Sequence, residues 1–151
     1  MVKFTYRYLD LGLHPLNKIS GFEMSFGNEE DWNDVFIQFI TRGRDIKDSV
    51  SFKVSKEWLD KMCNFLREQT QLKSLSSWIY KTSPHTSEHQ ITLEADSWYR
   101  EINLYNLGEF GRHLDKGFEE DEKVLLEFFN KIQKFLKEVG ISLSFDKVVK
   151  E

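Results

Sequence analysis

The spacing with the most chemical content in this chain is His85-Thr86-Ser87-Glu88-His89. It is a literal H-x-x-E-H pattern. On a helix that pattern turns both imidazoles toward one zinc ion while the glutamate activates a water molecule. Ser83-Pro84 could open a single helical turn here, with proline at its first position. The following Gln90-Ile91-Thr92-Leu93 reads as strand, so a long motif helix is not available, and no third ligand follows at motif spacing. The expectation is a polar surface loop that carries two histidines and holds no metal. A metal-dependent hydrolase using His85, Glu88 and His89 stands as the remote alternative.

Other reactive types are poorly placed for catalysis. Cys63 lies at helical spacing with Leu59, Met62 and Leu66, which predicts a packed thiol rather than an activated nucleophile. His14 precedes Pro15 in a loop, and His113 follows Arg112 in a Gly-rich stretch; neither has a serine or aspartate partner at motif spacing. Gly108-Glu109-Phe110-Gly111-Arg112 places a carboxylate where a phosphate loop needs backbone N–H groups, and no Gly-Lys-Ser/Thr follows. Close carboxylate pairs such as Glu94/Asp96 arise freely among 25 acidic residues and carry no catalytic information by themselves.

Charge narrows the partners. With 21 basic and 25 acidic residues the net charge is −4, and both signs are interspersed. Nucleic-acid binding rests on clustered Lys and Arg, and the densest basic spot, Arg42-Gly43-Arg44, is answered at once by Asp45. The reading therefore excludes nucleic acid. Two acidic clusters stand out instead: Glu29-Glu30-Asp31, followed by Trp32, and Glu119-Glu120-Asp121-Glu122. Both lie beside hydrophobic segments and are too charged to be buried unpaired. These eight residues are the candidate partner-binding set, matched to another protein with a basic surface. Self-association is also compatible with the composition.

The elements that must position these groups follow from periodicity. Val2, Phe4, Tyr6 and Tyr8 alternate with Lys3, Thr5 and Arg7 in a half-buried strand. Residues 9–18 read as a loop. Phe22, Met24 and Phe26 give a second strand, and residues 34–42, apolar on both faces, a central or doubly covered third. Val50, Phe52 and Val54 give a fourth, and short turns make the four an antiparallel meander. Ser55 is placed to cap a helix over 56–70 whose apolar face holds Trp58, Leu59, Met62, Cys63, Phe65 and Leu66. Residues 75–80 fit strand or short helix; 90–95 and 98–105 form a hairpin around Asp96-Ser97. A second helix over 120–139 carries a stripe of Leu125, Phe129, Ile132, Leu136 and Val139, stops at Gly140, and is followed by a last strand through Ile141, Leu143 and Phe145.

The predicted fold is thus α+β: an antiparallel sheet of seven to eight strands in two runs, with two long amphipathic helices packed on it. At 151 residues it is a single domain over 1–151, with a weak internal duplication, halves 1–72 and 73–151, as a minor reading. Thirteen Phe, five Tyr and four Trp against one alanine, Ala95, require aromatics to fill the core. One cysteine, no apolar span of membrane length and a charged, alternating amino terminus point to the cytoplasm and to no membrane contact. Many Lys, Phe, Ile and Asn against one alanine are what a gene poor in G and C would encode, which suits a low-GC bacterium or its phage. The function expected on these grounds is a non-catalytic protein-binding or inhibitor module of immunity-protein or anti-defence type, with no cofactor and not an enzyme. The alternative is a small-ligand-binding domain with an aromatic-lined pocket. An exposed aromatic patch ringed by charge favours the first, and a closed aromatic cavity the second.

Overall fold

A computed structural model describes residues 1–12, 15–28, 33–79, 87–105 and 119–151. The alternating segment at the amino end forms β1 (Val2–Asp10), which buries Val2, Phe4 and Tyr6. It pairs antiparallel with β2 (Ile19–Gly27), so that Phe4 faces Phe26 and Tyr6 faces Met24. β3 (Asp34–Thr41) and β4 (Ile46–Lys53) continue the meander outward. At the β2 bulge only glycine fits position 21, because any Cβ there would collide with the Tyr8 carbonyl oxygen.

Ser55 caps α1 (Lys56–Arg67) by accepting the Trp58 backbone N–H at 3.1 Å. α1 has 12 residues and ends before the expected residue 70, giving way to a 3-10 turn at Thr70–Ser74. The ambiguous segment becomes β5 (Trp78–Ile79), a two-residue strand parallel to β7. The hairpin is β6 (Ser87–Ala95) and β7 (Trp98–Tyr105), turning on Asp96 at φ 52°, a left-handed conformation that aspartate tolerates. α2 (Glu119–Lys137) has 19 residues and is followed by Gly140 at φ 77°.

The main sheet has seven strands in the order β4-β3-β2-β1-β6-β7-β5, antiparallel except at β5. β1 and β6 form its central pair, and the two strand groups extend outward from it. Both helices pack on the face that carries Val2, Phe4 and Tyr6. Phe26 meets Trp58 edge-on at 5.7 Å, Phe4 meets Phe128 at 5.9 Å and Tyr6 meets Phe129 at 5.0 Å. The helices are joined to each other by the Trp58 indole N–H, which donates to the Phe135 carbonyl at 2.9 Å. Phe65 stacks on Phe128, meets Phe135 at a tilt and is only half-buried, unlike its neighbours on the α1 face.

Two expectations need correction. The last strand does not join the main sheet: β8 (Ile141–Leu143) folds onto β9 (Val148–Lys150) in a separate two-stranded sheet against α2. Phe145 therefore belongs to a turn rather than to a strand. β3 is an interior strand, but it is not doubly covered, since Phe36 and Phe39 remain half-buried. Among the described residues no helix is long and apolar enough to cross a membrane.

Candidate functional site

The two described residues of the motif, Glu88 and His89, do not face one site. His85 lies outside the described residues. Glu88 and His89 are consecutive in β6, so their side chains leave opposite faces of the sheet. Glu88 pairs with Arg44 at 3.0 Å on the face away from the helices. His89 points into the core and is 2% exposed, which corrects the reading of this segment as a polar surface loop. Period 2 already contained the signal: Ile91, Leu93 and Ala95 extrapolate back to Ser87 and His89 on the buried face.

A buried polar relay surrounds His89. The Tyr6 hydroxyl donates its one proton to the Phe145 carbonyl at 2.7 Å, a group that can only accept. His89 Nδ1, 2.7 Å from the same hydroxyl, must therefore carry a proton and donate it. Nε2 is left as an acceptor and takes the Ser87 hydroxyl proton at 2.9 Å. Burial holds the imidazole pKa down at about 3, so the ring is neutral at physiological pH. The Tyr6 hydroxyl is pushed well above its ordinary range by burial first and by nearby Tyr8 and Asp146 second. A serine bonded to a histidine resembles a nucleophile and its base, but a base with so low a pKa is a weak proton acceptor. The relay's evident work is structural: it ties the β8–β9 turn to the sheet.

Cys63 is fully buried, and burial pushes its thiol pKa up, away from the thiolate form. Among the described residues no group of three or more His, Cys, Asp or Glu side chains is arranged to hold a metal ion.

The acidic clusters divide. Glu29, Glu30, Asp31 and Trp32 lie outside the described residues, as does the side chain of Glu119. Glu120 is exposed at the start of α2, while Asp121 and Glu122 are half-buried. Asp121 accepts the Ser76 backbone N–H at 3.1 Å, so it fastens the segment before β5 to the helix. Reversing Asp121 to Lys is therefore expected to cost about 1 kcal/mol. A thermal melt should show it as a drop of about 2–4 °C, with Glu120→Lys unchanged.

The feature that sequence reasoning missed is on the opposite face of the sheet. Trp78 and Tyr99 are 57% and 59% exposed. Trp78 stacks on Tyr105 with ring centroids 6.1 Å apart and 13° between planes. Tyr99 lies directly across from Glu94, and Glu101 follows it on the same face. Gln90 orients this surface, donating to Glu101 at 2.6 Å and to Asn103 at 2.9 Å. A shallow cleft of about 220 Å³ runs past Trp78 and Tyr105 to Arg7 and the Arg44–Glu88 pair. Beneath the edge, the Arg100 guanidinium donates to the carbonyls of Leu72 and Leu75 and to the Ser77 hydroxyl, which fixes the chain entering β5. The aromatic pair thus stands on a braced edge. The alternation of Ile102 and Leu104 inward could have placed Tyr99 and Tyr105 outward; a two-residue β5 offered no period that could place Trp78.

The chain matches no protein-family model, and no curated protein is significantly similar to it in sequence.

Proposed function

We propose that the protein is a non-catalytic protein-binding module of inhibitor type, and that it docks a partner's basic surface on the β6–β7–β5 face. The observation that carries this reading is the row of aromatic rings on that face, with exposed Trp78 stacked on half-buried Tyr105 toward one end of β7 and exposed Tyr99 toward the other, among Glu88, Glu94, Glu101, Arg7 and Arg44. Exposed tryptophan and tyrosine on a rigid sheet lose little conformational freedom on contact and are the residues that dominate interface energetics. An arginine or lysine from the partner can lie over the Tyr99 ring between two carboxylates, Glu94 and Glu101, which combines cation–π attraction with charge pairing. The partner chemistry is the one expected from the sequence; the docking residues are different ones.

The test starts with a photo-cross-linking amino acid at position 99 in producing cells. A discrete adduct, absent when the same group replaces exposed Ser49 on β4, identifies the partner. With the purified pair, Trp78→Ala and Tyr99→Ala should each weaken binding by about tenfold or more. Both side chains are more than half exposed, so the melting temperature should hardly move. Double reversal of Glu94 and Glu101 to Lys should slow association and flatten its dependence on salt. Wild-type affinity in all three variants would move the interface elsewhere.

A further inference from the structure

The two ends of the main sheet are built differently. At one end β5 is two residues long and presents little backbone. At the other, β4 runs for eight residues, all exposed except half-buried Phe52, and among the described residues no strand pairs with its outer edge. An open edge of that length is a template for another strand, and natural sheets blunt such edges with proline, inward-pointing charge or a bulge. In β4 the bulge falls ahead of Asp48, opposite the step from Phe39 to Ile40. From Asp48 to Val54 the strand keeps its register and has no proline.

The direction of each backbone group follows from the ladder. The Val54 N–H donates to the Asn33 carbonyl at 2.8 Å, and positions bonded to β3 recur at every second residue. Phe52 and Val50 therefore direct their N–H and C=O groups to β3, while Lys53, Ser51 and Ser49 turn theirs outward. Ser49 agrees with this, because its N–H is held at 2.8 Å by the Asp48 carboxylate and not by β3. The side chains divide in the same way. Val50 and Phe52 lie across from buried Ile37 and Val35 on the helix side, and Ser49, Ser51 and Lys53 are on the open face.

We propose that β4 pairs antiparallel with β4 of a second copy of this chain, about a two-fold axis at Ser51, and so joins two seven-stranded sheets into one dimer. The strand is self-complementary in that register. Ser51 meets its own counterpart, Ser49 meets Lys53, and on the helix side Val50 meets Phe52, each unlike pair occurring twice by symmetry. An apolar pair directly opposed across strands stabilises a sheet, and here no like charges stand opposite each other. Moving the axis to Val50 would set Lys47 against Lys53 twice. Moving it to Phe52 would call on Ser55, whose carbonyl already accepts the Leu59 N–H at 3.1 Å as α1 begins. The pairing closes on itself, so association stops at two. It uses none of β5, β6 or β7, and therefore stands whether or not that face docks a partner. A photo-cross-linker at Ser49 would give a self-adduct of twice the chain mass, distinct from a partner adduct at position 99.

Sedimentation equilibrium of the purified, untagged chain is the test. A reversible dimer of twice the 18.0 kDa chain mass is expected, half-formed at a concentration between about 1 and 100 µM. Ser51→Pro removes the two donors at the axis and no bond to β3, so the dimer should weaken about thirtyfold or more. Ser51→Lys leaves the backbone as it is and sets two ammonium groups across the axis. It should weaken the dimer several-fold at low salt, and added salt should restore part of the loss. Asp48→Ala frees the Ser49 N–H for the Lys53 carbonyl of the second copy and should tighten the dimer. Mild oxidation reads the register. Opposed, hydrogen-bonded residues have Cα atoms about 5.5 Å apart, within disulfide reach, so Ser51→Cys should link two chains. Ser49→Cys, with about 14 Å between its two copies, should not. Cys63 is buried in both variants. A chain that stays monomeric up to about 200 µM overturns the proposal. So does a dimer that keeps its affinity in both Ser51→Pro and Ser51→Lys, or one that cysteine at 49 links as readily as cysteine at 51. A dimer weakened by Trp78→Ala would place the contact on the β6–β7–β5 face and overturn it as well.

Discussion

Replacing Phe129 with alanine is expected to remove about 3–5 kcal/mol of stability, which is a third or more of what a domain this size commonly has. Phe129 is fully buried in the middle of α2. Its ring meets Tyr6 edge-on at 5.0 Å and stacks on Phe145 at 4.7 Å, so it joins the sheet, the long helix and the β8–β9 turn. Those neighbours cannot collapse into the vacancy. Tyr6 is held by hydrogen bonds to His89 and to the Phe145 carbonyl, and Phe145 lies in a turn closed by its own backbone. The cavity term therefore adds to the lost transfer energy. A urea titration should show the midpoint fall with an unchanged slope, and a thermal melt should drop by roughly 10 °C or more. Phe65→Ala is the contrast: its half-buried ring sits at the seam between the helices, and about 1–2 kcal/mol is the expected loss. A Phe129 variant that melts within a degree or two of wild type would mean that α2 does not pack through this face.

The same residues show what periodicity reveals and where it stops. Val2, Phe4 and Tyr6 alternate along the first half of β1, and Leu125, Phe129, Ile132 and Leu136 repeat over about three helical turns, so each burial face was legible without coordinates. β5 and β9 were not, because two or three residues do not make a period. Reading Ile141, Leu143 and Phe145 as one strand failed at its last member for a related reason. Alternation continues through Phe145, but the ring is drawn onto Phe129 and the carbonyl onto Tyr6, contacts 16 and 139 residues away in sequence. His89 is the same lesson in polar form. Its neighbours in sequence are charged or amide residues, while its neighbours in space, Tyr6 and Tyr8, come from the strand across the central pair. Candidate sites chosen from clusters along the chain consequently missed the surface that pairs Trp78 with Tyr105.

Stability should also fall as the solution is made acidic, and His89 should be the cause between pH 6.5 and 5. Its pKa is about 3 in the folded chain and near 6.5 in a free histidine, so the unfolded state binds a proton that the folded state refuses. The contribution is fully present above pH 6.5 and is lost progressively as pH falls toward 3. Protonation in the fold would place a second proton on Nε2, facing the Ser87 hydroxyl, and a charge where the ring is 2% exposed. From pH 7 to pH 5 the loss should reach about 2 kcal/mol. Carboxylates of ordinary pKa titrate mainly below that interval, and the comparison with a variant lacking the ring separates the histidine's share. Urea midpoints at half-unit steps measure it, with His89→Asn as the comparison, since its amide N–H can still donate toward Tyr6. The variant should be less stable at pH 7 and flatter over the interval. Parallel profiles for the two chains would show that the buried neutral ring is not at position 89, and the relay from Ser87 to Phe145 would fall with it.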